Sequence, residues 1–167
     1  CAPGSFADEP RAAECSPCEA GTYQQHVNST GCDVCDMGGY CALEAAAVVL
    51  CPAGRFGNAS GLSALEECHE APPGSSSAIG ATAATPCSPG NAQPLSGQGS
   101  CVACEAGKFM NVSGQTACFE CPRGGFCAVG APAPLPCAEG SFSSTPGLGA
   151  SDQCTSCPEG TFCSTGA

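Results

Sequence analysis

Large apolar side chains in this chain keep returning to one setting. Tyr or Phe stands five residues after a cysteine in CAPGSF (1–6), CEAGTY (18–23), CDMGGY (35–40) and CPAGRF (51–56). The setting returns in CEAGKF (104–109), CPRGGF (121–126), CAEGSF (137–142) and CPEGTF (157–162). These eight copies of C-x-x-G-x-[YF] hold both Tyr and six of the seven Phe, leaving only Phe119 outside. The glycine can take positive φ and turn the chain sharply after the cysteine. The aromatic two residues on can then fold over the sulfur as a minimal apolar cluster. The pattern predicts short, irregular β-hairpins and loops with little helix. Spacers such as PPGSSSAIGATAATP (72–86) and APAPLP (131–136) read as extended or turn-rich connections.

The hairpins belong to a longer register. A shift of 86 residues carries Cys1, Cys15, Cys18, Cys32, Cys35, Cys41, Cys51 and Cys68 onto Cys87, Cys101, Cys104, Cys118, Cys121, Cys127, Cys137 and Cys154 without a gap. Residues 1–86 form the first long repeat, with units at 1–15, 18–41 and 51–68 and a degenerate copy at 71–77. Residues 87–167 form the second, cut short at its C-terminal end. The sequence opens at Cys1 without Met or signal peptide and closes in mid-pattern, as a processed product or a piece of a longer chain would.

Composition explains why cysteine punctuates the pattern. Of the 167 residues 18 are Cys, above the roughly 8–10% that marks a disulfide scaffold, and there is no Trp. Much of the 43% apolar content is Ala and Cys, so a conventional core is too small to offset chain entropy without staples. Fifteen acidic against four basic residues give a net charge of −11. That excludes nucleic acid as a partner, because phosphate contacts need Lys and Arg, and it disfavours an anionic membrane surface. The longest apolar run, ALEAAAVVL (42–50), is too short to span a bilayer, which takes about 20 residues.

Two chemistries compete for the cysteines. Cys15-x2-Cys18-x13-Cys32-x2-Cys35, repeated by Cys101, Cys104, Cys118 and Cys121, has the spacing of a four-cysteine zinc site. Ten further cysteines continue the register and have no place in such sites, which favours disulfides and an oxidising compartment. An internal comparison suggests the connectivity. CPEGTFC (157–163) aligns with APPGSSS (71–77), where both cysteines are missing together, so Cys157 is expected to bond Cys163. By the same spacing Cys35 pairs with Cys41 and Cys121 with Cys127. The rest pair in chain order: Cys1–Cys15, Cys18–Cys32, Cys51–Cys68, Cys87–Cys101, Cys104–Cys118 and Cys137–Cys154. Sequential local loops imply an elongated, rod-like array.

Sequons at Asn28, Asn58 and Asn111 predict N-linked glycans in loops just past the aromatic of a unit. The two histidines, His26 and His69, stand in loop settings, and no nucleophile, metalloprotease or phosphate-binding motif occurs. The expectation is no enzyme, no metal site and no cofactor. Weak calcium binding between neighbouring units stays open, although the dispersed acids lack calcium-loop density.

The segments Cys18 to Phe56 and Cys104 to Phe142, built on C-x2-C-x2-G-x-[YF]-x8-C-x2-C-x2-G, resemble the cysteine-rich ephrin-receptor-like repeats. Those repeats are akin to EGF-like and tumour-necrosis-factor-receptor modules. The resemblance implies a small extracellular disulfide-rich module, as in receptor ectodomains and in large extracellular proteins of protists and algae similar to flagellar-hair structural proteins. The first functional expectation is an extracellular structural glycoprotein that self-associates into a rod or filament. The alternative is the ectodomain stalk or ligand-binding module of a receptor or adhesin, with other extracellular proteins as partners. A third possibility, an intracellular zinc protein, would show bound metal and free thiols.

Overall fold

In the computed structural model residues 1–9 and 14–167 are described, so residues 10–13 of the first loop lie outside the described residues. Nearly all regular structure is two-residue antiparallel β-strand, paired into hairpins. Hairpin 1 pairs Ser5–Phe6 with Ser16–Pro17. Hairpin 2 pairs Thr22–Tyr23 with Asp33–Val34, and hairpin 3 pairs Gly39–Tyr40 with Val49–Leu50. Hairpin 4 pairs Arg55–Phe56 with His69–Glu70, and hairpin 5 pairs Ser75–Ser76 with Thr85–Pro86. Hairpins 6 to 9 begin at Asn91–Ala92, Lys108–Phe109, Gly125–Phe126 and Ser141–Phe142. They close at Val102–Ala103, Phe119–Glu120, Leu135–Pro136 and Thr155–Ser156. Among the described residues helix is confined to two 3-10 turns, Leu65–Glu67 and Ser151–Gln153, which occupy matching loops of hairpins 4 and 9.

The chain divides into two compact units. One comprises Cys1–Pro72, Ser76–Thr85 and Gly97–Ser100 and contains hairpins 1 to 4. The other comprises Pro73–Ser75, Pro86–Ser96 and Cys101–Ala167 and contains hairpins 6 to 9. Hairpin 5 is shared between them.

Each hairpin starts from a turn written in the motif. In Ala2-Pro3-Gly4-Ser5 the Ser5 N–H donates to the Ala2 carbonyl at 3.1 Å, and Gly4 has φ +84°. Proline pre-sets φ at the second turn position and glycine accepts the positive φ at the third, the signature of a type II turn. The hydrogen bonds that join one hairpin to the next converge on the same glycine. In the first unit Gly21 N–H donates to Cys41 O (2.7 Å) and Cys35 N–H donates to Gly21 O (2.9 Å). Gly61 N–H donates to Cys35 O (2.7 Å), and Cys41 N–H donates to Leu62 O (2.9 Å).

In the second unit the same four bonds recur 86 residues on. Gly107 N–H reaches Cys127 O and Cys121 N–H reaches Gly107 O, while Gly147 N–H reaches Cys121 O and Cys127 N–H reaches Leu148 O, all at 2.8 Å. Successive hairpins are thereby stitched by backbone, and the buried peptide groups find partners that two-residue strands alone would not supply. The stitching needs glycine. A Cβ at Gly107, whose φ is +83°, would fall on the carbonyl oxygen of Gly147.

The core is made of cystine. Cys18, Cys35, Cys41, Cys51, Cys104, Cys121, Cys127 and Cys137 are buried, joined by Ala71, Ala92, Ala131, Met110 and Leu148. The aromatic is half-buried in every unit but the last, as Phe109 is against Cys121, Cys127 and Ala131, whereas Phe162 of the unit 157–162 is exposed and does not fold over its cystine. Segment 72–86, which reads from sequence as a connection, folds as hairpin 5 without any disulfide. Ala71 and Ser77 take the two buried places that cysteines occupy elsewhere, and the ladder continues through Gly54 N–H to Ser77 O (2.7 Å) and Ala71 N–H to Gly54 O (2.9 Å).

Candidate interaction surface

All 18 cysteines are bonded, as Cys1–Cys15, Cys18–Cys32, Cys35–Cys41, Cys51–Cys68, Cys87–Cys101, Cys104–Cys118, Cys121–Cys127, Cys137–Cys154 and Cys157–Cys163. The zinc-like C-x2-C spacing has a plain structural origin. Cys32 closes hairpin 2, Asp33 and Val34 form its second strand, and Cys35 opens hairpin 3. Two strand residues between two half-cystines give the interval, and an oxidised sulfur is not a thiolate ligand.

Asn28, Asn58 and Asn111 are all exposed. Asn58 and Asn111 share one structural position, four residues beyond the turn glycines Gly54 and Gly107, each in a loop of sequence N-x-S-G. Asn28 stands instead at a positive-φ turn position (φ +57°), where the corresponding residues are glycines, and its Oδ1 accepts from the Cys1 amine at 3.4 Å. Asn tolerates this left-handed conformation better than most residues. Glu44, at φ +60°, takes the same place in hairpin 3.

The titratable groups are dispersed. His26 is exposed and donates its backbone N–H to Gln24 Oε1, while exposed His69 tilts against Phe56 with ring centroids 5.7 Å apart. Arg55 bridges the Cys68 carbonyl and the Glu70 carboxylate. Hydrogen bonding to Lys108 lowers the Glu105 pKa, and the same contact raises that of Lys108. The Ser63 backbone N–H, at 2.6 Å from the Glu67 carboxylate, holds the Glu67 pKa below its ordinary value. In hairpin 9 the Gln153 amide oxygen accepts from Gly149 N–H at 2.6 Å, so one loop closure is made by either side chain. Among the described residues no three His, Cys, Asp or Glu are grouped to hold a metal ion, and no helix is long and apolar enough to cross a membrane.

The aliphatic side chains are the unexpected feature. Cystine fills the interior, so Val27, Val34, Leu43, Val49, Leu50, Ile79, Val102, Val129 and Leu135 all face solvent. Residue composition alone does not reveal this inversion. A β-branched or leucine side chain normally reads as core, and only the narrowness of a two-residue ladder turns it outward. Several of these positions recur at the 86-residue interval: Leu43 and Val129, Val49 and Leu135, Leu50 and Pro136. Scattered exposed aliphatics are ordinary on any protein, whereas these three positions are exposed in both repeats.

Residues 90–129, spanning hairpins 6 and 7 and the opening of hairpin 8, match the family model described as "Tyrosine-protein kinase ephrin type A/B receptor-like". The chain therefore carries a cysteine-rich ephrin-receptor-like repeat, a small disulfide-rich module of the kind found in extracellular domains. No curated protein matches the chain.

Proposed function

We propose that this chain is a segment of an extracellular structural glycoprotein, whose repeats build an assembly by presenting the same contact surface at regular intervals. The observation that carries this is the recurrence of solvent-facing Leu43, Val49 and Leu50 as Val129, Leu135 and Pro136, one 86-residue repeat later. A ligand-binding stalk needs a patch on a single repeat. A structural polymer needs one on every repeat, because a contact that does not close into a ring propagates. The segment has no catalytic step and requires no metal or cofactor in this role. N-linked glycans on Asn28, Asn58 and Asn111 decorate the loops and keep the surface between contacts hydrated.

Electron microscopy of the native, unreduced protein tests this. Fibres or ordered arrays with a periodicity attributable to the 86-residue repeat are expected. Separate particles at every concentration would overturn the structural reading and favour a receptor or adhesin ectodomain. Glycosidase digestion followed by peptide mass mapping tests the sugars, with Asn-to-Asp conversion expected at all three sequons.

A further inference from the structure

Hairpins 3 and 8 are 86 residues apart and share an apolar surface, but their charges differ in sign. In hairpin 3 Val49 and Leu50 are about half exposed, and Asp36 and Met37 lie exposed in the turn that leads into the partner strand. In hairpin 8 Leu135 and Pro136 occupy the matching strand positions, and the matching turn holds Pro122 and Arg123. Segment 35–50 contains two acids, Asp36 and Glu44, and no base. Segment 121–136 contains one base, Arg123, and no acid. Arg123 is exposed and forms no ion pair with any described residue. The three sequons lie in the segments of hairpins 2, 4 and 7, so none lies within hairpin 3 or hairpin 8 itself.

We infer that hairpin 3 of one copy docks against hairpin 8 of a second copy, with Val49 and Leu50 packed on Leu135 and Pro136, and Asp36 paired to Arg123. The occupant is a second copy because charge complementarity is built into the two matching surfaces. A hairpin 3 to hairpin 3 contact would oppose Asp36 to Asp36, and a hairpin 8 to hairpin 8 contact would oppose Arg123 to Arg123. Like charges facing across an interface select against wrong partners. The contact joins two unlike surfaces, and such a contact propagates wherever it does not close on itself. This rests on the structural reading above and specifies the contact through which it would operate.

Sedimentation velocity on the native, disulfide-bonded protein tests the inference with charge-reversal variants. Both substitutions are exposed, and peptide mapping of the nine disulfides verifies that each variant folds. Concentration-dependent association is expected for the unaltered protein. R123E alone and D36R alone should each weaken it by about tenfold, since each turns the attractive pair into a repulsive one. An equimolar mixture of R123E and D36R should recover it, because both pairings between unlike copies are then of opposite sign. Association of R123E and D36R as tight as that of the unaltered protein, or a mixture no tighter than either variant, would overturn the contact. If fibres persist in the R123E variant, the structural reading stands and only this contact fails. If the unaltered protein stays monomeric and forms no fibres, both fail.

Discussion

Hairpin 5 is a hairpin from which the disulfide has been removed, and the structure says what restoring it should do. The opening cysteine of hairpins 3 and 8 is bonded six residues on, with Cα–Cα distances of 5.8 Å in Cys35–Cys41 and Cys121–Cys127. The corresponding residues of hairpin 5 are Ala71, 0% exposed, and Ser77, 1% exposed. Both are held by the ladder, through Ala71 N–H to Gly54 O and Ser77 N–H to Gln98 O. In the double variant A71C/S77C the two introduced thiols should oxidise to a tenth disulfide without moving the backbone. Closing a loop of about six residues removes roughly 2 kcal/mol of unfolded-state entropy by the chain-entropy model. Against this stands the Ser77 hydroxyl, which donates to the Arg55 carbonyl at 3.0 Å. Losing that bond costs about 1 kcal/mol. The expected net gain is therefore about 1 kcal/mol.

The assay has two readouts. Non-reducing peptide mapping reports the bond, and urea unfolding followed by hydrogen exchange at the Gly54 and Cys87 amides reports the local gain. The result that would refute the reasoning is specific: both introduced thiols alkylated under native conditions, or either one captured by a cysteine of hairpin 4 or 6. That would mean hairpin 5 does not share the register of hairpins 3 and 8. A bond that forms without added protection would leave the register intact and place the error in the entropy term.

Three further outcomes follow from single residues. Glu44 has φ +60° where Gly80, Gly130 and Gly166 stand in matching turns, so Glu44→Gly should stabilise by about 0.5–1 kcal/mol, read as a rise in urea midpoint. Gly107→Ala should destabilise by at least about 2 kcal/mol in the same measurement, because the added Cβ meets the Gly147 carbonyl and the residue is held at positive φ. The Glu67 pKa lies below its ordinary 4.5, so the loop closure it makes to Ser63 is fully present above that pH and is lost as pH falls through the lowered native value. An NMR titration should show the Ser63 amide following this step, and Glu67→Gln should abolish it while keeping the bond, since Gln153 makes the equivalent closure.

The hairpins were legible because their signal is local. Cysteine, turn glycine and aromatic lie within six residues, and each demands a particular backbone of its neighbours. The ladder between hairpins was not legible, because backbone N–H and C=O groups have no sequence letter. The third residue after the turn glycine shows this in every unit except the first and the last. Gln24, Cys41, Gly57, Ser77, Gln93, Met110, Cys127 and Ser143 all fill that buried place. Side chains so unlike in chemistry share it only because the backbone on both sides is already fixed. The same hidden regularity made 72–86 read as a spacer: without cysteines or an aromatic the segment loses its visible marks, yet it keeps Gly74 and the ladder bonds that define a hairpin.

The exposed aliphatic residues follow from the same economy of structure. A hairpin with two residues per strand has room beneath it for one cystine and the edge of one ring, so a Leu or Val on the second strand has nowhere inward to go. In a globular domain such a residue would be replaced by a polar one at almost no cost to folding. Here Val49 and Leu135 occupy the same strand position one repeat apart, and both stay apolar beside turns that carry opposite charges. Each faces the aromatic of its own hairpin across the ladder, Val49 opposite Tyr40 and Leu135 opposite Phe126, so its inner side contributes to the hairpin. The outer side of the same side chain stays open to solvent in both repeats, and it is this outer side, beside turns of opposite charge, on which the proposed contact between copies rests.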